Sequence, residues 1–149
     1  MKPVDKVLVI PCSATDEKDF FLRWVEYLKP KHHLTTREQE VFAAFLRNRY
    51  ELSKGITDRN ILDEVCLNEA NRDKIRRSLN MSGPQMNGVL SKLKEQKIIA
   101  PFRKISGKVD YYKISPSFIP DLDESGDFKL MLVFRYKSDA EKGTDTKNS

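Results

Sequence analysis

Cysteine is scarce in this chain, and long apolar runs are absent. The 149 residues contain only two cysteines, Cys12 and Cys66, which lie far apart, so neither a disulfide framework nor a thiolate metal site is indicated. No apolar run exceeds six residues, and runs such as residues 41–46 and 130–134 are too short to cross a bilayer as a helix. The apolar stretch at residues 7–10 is too short for a secretory signal. We therefore expect a cytoplasmic protein without a membrane span, in which both thiols are small core residues.

Motifs for catalysis and metal binding are also missing. The chain has no Gly-rich phosphate loop, no dinucleotide-binding Gly-x-Gly-x-x-Gly and no Gly-x-Ser-x-Gly nucleophile motif. The adjacent His32 and His33 have no third ligand at a suitable spacing, so a surface turn is expected there. The loop that begins at Asp121 imitates a calcium-binding loop, but Leu132 stands where a bidentate Glu is required. The sequence predicts a protein that is not an enzyme and needs neither a metal nor a cofactor.

Charge is abundant and unevenly distributed. The sequence holds 27 Lys and Arg against 22 Asp and Glu. Residues 71–113 carry 11 of these cations and only 3 of the carboxylates, whereas the segments before and after are each slightly acidic. A cationic segment of this size within a folded region is typical of a protein that binds a polyanion, although a solvated face of Lys and Arg would have the same composition.

Apolar spacing and capping signals predict a helical first half of the chain. After a short β-like run at residues 6–12, residues 20–28 repeat at helical spacing and form a heavy aromatic face around Trp24. Thr35 and Glu38 fit a capping box, in which each satisfies a free N–H group of the other. A second amphipathic helix is therefore expected to begin after Thr35.

The segment from residue 69 to residue 114 has the clearest pattern. Residues 69–79 predict a short basic helix that is followed by a tight turn. Ser82 and Gln85 fit another capping box, so a helix is expected over residues 82–96. Its inward side is expected to contain Met86, Val89, Leu90, Leu93 and Lys97. Two β-like runs around a Gly-containing turn predict a hairpin over residues 99–114.

This order of a helix, a short turn, a second helix and a basic hairpin resembles the winged helix-turn-helix superfamily, and MarR-like DNA-binding domains in particular, over about residues 34–119. The segment 81–99 is similar to the helix that enters the major groove in those domains and continues into the first strand of the wing. The resemblance implies an α+β winged helix-turn-helix fold. It implies non-catalytic binding of double-stranded DNA, by a transcriptional regulator or by a replication or partition accessory factor.

The side of helix 82–96 that faces away from its apolar side is small and polar. The residues expected to read base edges are Gln85, Asn87, Gly88, Ser91 and Lys92. Asn and Gln can pair bidentately with adenine, and a glycine lets the helix approach closely. The residues expected to bind phosphates are Arg72, Lys74, Arg76, Arg77, Lys94, Arg103, Lys104, Lys108 and Lys113. A polar face that meets only solvent is the alternative interpretation.

Four regions are predicted along the chain. Residues 1–33 form a strand and an amphipathic helix, residues 34–119 form the winged helix-turn-helix domain, and residues 120–136 form an acidic loop and a further strand. Residues 137–149 contain no Leu, Ile, Val or aromatic residue and are expected to be a disordered tail.

The apolar runs near the two ends of the chain support a second hypothesis. Residues 7–10 and 130–134 have no obvious partner within the predicted domain, so each could add to the sheet edge of a neighbouring subunit. Together with the helix face around Trp24, they indicate a homodimer or a larger assembly. The alternative function is therefore that of a structural subunit, such as a small virion or scaffold protein.

Overall fold

A computed structural model describes the backbone of residues 17–105 and 108–120, and the side chains of residues 19–101 and 112–120. The predicted runs at residues 6–12 and 130–134, the acidic loop and the predicted disordered tail lie outside the described residues. The described helices and strands all belong to the first of two units into which the chain divides, with the boundary between Ile119 and Pro120.

Helices make up most of the described chain, as the periodicity and the capping signals predict. In chain order the described elements are α1 (Glu17–Tyr27), α2 (Lys29–His32), α3 (Thr36–Ser53), α4 (Arg59–Cys66), α5 (Glu69–Ser78), α6 (Gly83–Glu95), β1 (Ile99–Ile105), β2 (Lys108–Ile114) and a 3-10 helix, Pro116–Phe118. The two described strands form an antiparallel sheet, so this part of the chain has an α+β architecture. None of these helices combines the length and the apolarity that a bilayer-spanning segment requires.

The aromatic face of α1 is buried within the chain itself. Phe21, Trp24 and Val25 are at most 4% exposed, and α1 packs against α3. The indole N–H of Trp24 donates to the carbonyl oxygen of Phe118 at 2.8 Å, which joins α1 to the residues after the hairpin. This chain therefore covers the Trp24 face itself, so the predicted homodimer or larger assembly would have to use another surface.

Helix α3 is central because other helices pack on more than one of its sides. Its N-terminus has the predicted capping box: Thr35 Oγ1 accepts the N–H of Glu38 at 3.3 Å, and Glu38 Oε1 accepts the N–H of Thr35 at 2.8 Å. The apolar residues that α3 buries are Val41, Phe42, Ala43, Phe45 and Leu46. Each large side chain among them contributes roughly 1.5–3 kcal/mol by leaving water, so this helix supplies much of the core.

Polar side chains join α3 to α4 and α5. Asn48 Nδ2 donates to Asn71 Oδ1 at 2.8 Å, and Lys74 Nζ donates to Asn48 Oδ1 at 3.2 Å. Arg49 pairs with Asp63 of α4 at 2.9 Å. Because buried polar groups are costly unless they are bonded to each other, these contacts restrict how α4 and α5 can lie against α3.

His32 is a core residue, which corrects part of the expectation for the histidine pair. Its Nε2 donates to the carbonyl oxygen of Val25 at 2.7 Å, and its Nδ1 accepts the N–H of Leu34 at 2.9 Å. The side chain is fully buried. The predicted surface turn is therefore wrong for His32 and holds only for His33, which is exposed and has a left-handed φ of 53°.

Helix α6 and the hairpin follow the predicted order. The predicted inward side of α6 is confirmed for Met86, Val89, Leu90 and Leu93. Lys97 is an exception, since α6 ends at Glu95 and Lys97 is exposed with a left-handed φ of 59°. The strands β1 and β2 are antiparallel, and their register is irregular around Arg103.

Candidate nucleic-acid interface

The turn between α5 and α6 is held by hydrogen bonds from two arginines. Asn80 has a left-handed φ of 54°, which reverses the chain after α5. Arg76 Nη1 donates to the carbonyl oxygen of Met81 at 3.1 Å. Arg37 Nη2 reaches across from α3 and donates to the carbonyl oxygen of Leu79. The start of α6 is therefore fixed relative to both α5 and the N-terminus of α3.

The predicted capping box of α6 is present, and it occupies part of one predicted base-reading side chain. Ser82 Oγ accepts the N–H of Gln85 at 3.2 Å, and Gln85 Oε1 accepts the N–H of Ser82 at 2.8 Å. Gln85 remains exposed, so its NH₂ group is left to donate to a partner. While the cap is intact, one lone pair of Gln85 Oε1 is used by the N–H of Ser82, so Gln85 is better placed to donate than to pair bidentately with adenine.

The outward face of α6 is small, polar and open. Asn87, Gly88 and Ser91 are exposed, whereas Lys92 is half-buried. A Cβ atom placed on Gly88 would have no atom within 4 Å among its described neighbours. Four of the five predicted base-reading residues, Gln85 included, are therefore exposed, and the backbone at Gly88 can be approached closely.

The four predicted phosphate contacts on α5 are not equivalent. Arg76 bonds to the α5–α6 turn, and Lys74 bonds to Asn48 of α3. Arg72 is half-buried, and its Nε is buried without a hydrogen-bond partner in the described part of the chain. Arg77 is exposed. In the free protein Arg76 therefore supports the turn, Lys74 is exposed but bonds to Asn48, and Arg77 is directed to solvent.

The remaining predicted phosphate-binding residues lie on α6 and on the hairpin. Lys94 is exposed, and its Nζ is 4.3 Å from the centre of the Tyr112 ring, a cation–π contact that joins α6 to β2. Lys113 is half-buried. The side chains of the remaining predicted hairpin contacts, Arg103, Lys104 and Lys108, lie outside the described residues, although all three belong to the paired strands.

The sequence-based prediction missed Arg37. This residue lines a groove of about 300 Å³ together with Gln85, Gly88 and Val89 of α6. Its position in the first turn of α3 was foreseeable from the capping box that begins at Thr35. Its nearness to α6 was not, because the contact with Leu79 spans 42 residues of the chain.

No group of three or more potential ligands among His, Cys, Asp and Glu occurs within the described ranges. The thiol of Cys66 is fully buried, and burial raises its pKa to about 11, so it is protonated and inaccessible at neutral pH. Comparisons of this chain with protein-family models, with curated proteins and with solved structures found no match.

Proposed function

We propose that the protein binds double-stranded DNA without catalysing a reaction and that α6 enters the major groove. The observation that carries this proposal is the environment of Gly88. A glycine inside a helix costs about 1 kcal/mol relative to alanine, and no described neighbour occupies the space above it. Packing within the chain therefore gives no reason for a glycine here, whereas a partner surface that approaches the helix backbone does. The major groove of B-DNA is wide enough to admit an α-helix.

The order of elements around Gly88 supports the same proposal. The basic helix α5, the turn, α6 and the antiparallel hairpin follow one another as in a winged helix-turn-helix, which is the fold we propose for residues 34–119. In this arrangement the hairpin is the wing and lies along the DNA backbone. Its strands carry several cations of the basic segment, and Lys94 on α6 contacts Tyr112 on the second strand.

The side-chain contacts refine which residues we propose for each role. Asn87 and Ser91 meet base edges, and the NH₂ group of Gln85 adds a donor. Arg77 and Lys94 bind phosphates, because both are exposed and, unlike Lys74, neither donates a hydrogen bond to another described side chain. A regulator and a replication or partition factor both fit these contacts, and any dimer would have to form through a surface other than the Trp24 face.

The test is fluorescence anisotropy with a labelled random duplex of about 30 base pairs over a series of salt concentrations. We expect micromolar binding at moderate salt, and the slope of log K against log salt should be about −0.9 per phosphate neutralised. Ser91→Glu should lower the affinity at least tenfold, because it puts a carboxylate on the face proposed to meet DNA. Arg77→Gln should make the slope shallower by about 0.9.

Arg23→Gln is the matched control. Arg23 is an exposed arginine on α1, and its loss changes the net charge by the same amount as either test variant. It should leave the slope unchanged and lower the affinity far less. The proposal fails if the wild-type protein does not bind at low salt, or if Ser91→Glu behaves like Arg23→Gln.

The alternative of a structural assembly subunit has lost its support among the described residues. Its evidence was the face around Trp24, which is buried, and the two terminal apolar runs, which lie outside the described ranges. It becomes the favoured function if DNA binding is absent and sedimentation shows a defined oligomer.

A further inference from the structure

Arg37 shares a groove with residues that we propose face DNA. The groove is lined by Arg37 and Glu38 from α3 and by Gln85, Gly88 and Val89 from α6. The side chain of Arg37 is 48% exposed. Its guanidinium is therefore accessible beside the small polar face of α6, although it belongs to a different helix and to a part of the sequence outside the basic segment.

The guanidinium of Arg37 is oriented and still has donors available. Its Nη2 donates to the carbonyl oxygen of Leu79 in the α5–α6 turn, and its Nη1 donates to Glu40 Oε2 at 2.8 Å. These two bonds use two of the five N–H groups of an arginine. The bond to Leu79 fixes where the group lies relative to α6, so the remaining donors are presented at a defined place.

The ion pair between Arg37 and Glu40 costs little free energy to break. Both side chains are well exposed, at 48% and 39%, and exposed ion pairs of this kind contribute little because water competes with them. A DNA phosphate carries the same charge as the carboxylate and likewise accepts N–H bonds from a guanidinium. Replacing one by the other leaves the bond to Leu79 intact.

We propose that Arg37 is a phosphate-binding residue of the DNA interface, and that it exchanges the carboxylate of Glu40 for a DNA phosphate when α6 enters the major groove. This inference rests on the proposed function. It adds α3 to the interface and links the phosphate contact to the turn that positions α6. It also gives Glu40 a role, since its carboxylate competes with the phosphate and thereby limits the affinity.

The first experiment measures the salt dependence of binding for Arg37→Gln and Arg37→Lys with the same labelled duplex. Arg37→Gln should make the slope shallower by about 0.9, and it should lower the affinity about tenfold at moderate salt. Arg37→Lys keeps a cation at the groove, so the slope should return to the wild-type value even if the affinity does not. Circular dichroism melting of each variant shows whether the fold is retained.

The slope of log K against log salt distinguishes a phosphate contact by Arg37 from a role limited to holding the α5–α6 turn. If Arg37 only held the turn through Leu79, Arg37→Gln would weaken binding without changing the number of phosphates neutralised. An unchanged slope in Arg37→Gln therefore overturns the inference, whatever happens to the affinity.

The second experiment is a double-mutant cycle between Arg37 and Glu40. Glu40→Gln should raise the affinity at least threefold, and this gain should disappear in the Arg37→Gln background. Glu26→Gln, which removes an equally exposed carboxylate that pairs with Arg23 on α1, controls for the general change in charge. Equal gains in both backgrounds overturn this inference about Arg37 but leave the proposed function standing. A wild-type protein that does not bind DNA overturns the proposed function and this inference with it.

Discussion

Arg49 and Asp63 form a buried ion pair that joins α3 to α4. Arg49 Nη2 donates to Asp63 Oδ1 at 2.9 Å, and the two side chains are only 10% and 9% exposed. Arg49 Nε is buried without a partner among the described residues. Removing two charges from water is expensive, and their attraction offsets that cost only while both are present.

We expect Asp63→Ala to lower the free energy of unfolding by about 3–5 kcal/mol, because it leaves the Arg49 charge buried and unpaired. Glu26→Ala removes a carboxylate from the exposed pair with Arg23 and should cost less than about 1 kcal/mol. Urea unfolding of the two variants measures both values. A cost for Asp63→Ala no larger than that of Glu26→Ala would contradict this account of the pair.

The buried imidazole of His32 makes stability depend on pH. Burial lowers the pKa of His32 below its usual 6.5, and the positive charges of His33 and Lys29 act in the same direction, against the hydrogen bond to Val25. Between the lowered pKa and 6.5 the unfolded chain binds more protons than the folded one. The free energy of unfolding should therefore fall as the pH decreases below about 6.5, by at most about 1.4 kcal/mol per pH unit.

Two measurements check the role of His32. In an NMR titration, the ring of His32 should keep the chemical shifts of the Nε2–H tautomer to a lower pH than an unburied imidazole, whose pKa is about 6.5. Urea unfolding between pH 5 and pH 8 should show the fall in stability for the wild type and for His33→Asn, which leaves the buried ring in place. A stability that does not fall over this range would contradict the prediction.

Substitutions at Gly88 should affect the free energy of unfolding and the DNA affinity differently. Gly88→Ala should raise the free energy of unfolding by about 1 kcal/mol, because alanine is the better helix former and its methyl group enters open space. Gly88→Gln should also keep the stability at or above the wild-type value, but its long side chain should lower DNA affinity at least tenfold. Gly55→Ala, which also places a methyl group in open space, should leave binding unchanged. Tight binding by Gly88→Gln would show that the helix is not approached closely at this point.

Substitutions at Gln85 can also test stability and binding separately. Its Oε1 caps α6, whereas its NH₂ group is the part proposed to meet DNA. Gln85→Glu keeps an oxygen for the N–H of Ser82, and a carboxylate in the first turn of a helix is favourable, so the melting temperature should not decrease. DNA affinity should decrease about tenfold, since the new charge repels phosphates. Gln85→Ala should instead lose the cap and about 0.5–1 kcal/mol of stability. Equal affinities for Gln85→Glu and the wild type would remove Gln85 from the interface.

The helix boundaries could be predicted because capping is decided within a few residues. Ser82 and Thr35 each bond to a backbone N–H group three positions further along, as the predicted capping boxes require. The buried side of α6 followed in the same way, since the period of a helix places every third or fourth side chain on one face. The hairpin also has the predicted position.

The helical periodicity and capping signals do not predict which side chains remain free to contact a partner. Trp24 was expected on a face that contacts a partner subunit and is bonded to Phe118, 94 residues away. His32 was expected in a surface turn and is fully buried. Arg76 and Lys74 were assigned to phosphates, and both bond to neighbouring parts of the chain. The partners lie between 2 residues away, for His32 and Leu34, and 94 residues away, for Trp24 and Phe118, and the helical and capping patterns indicate none of them.

The sequence by itself therefore determined the elements, their caps and the cationic character of residues 71–113, because these depend on neighbouring residues and on composition. Only the tertiary structure decided which cations serve the fold, which of them face solvent, and that Arg37 of α3 lies beside α6. The physical reason is that the burial and hydrogen bonding of a long polar side chain depend on what packs against it, and the sequence does not specify this locally.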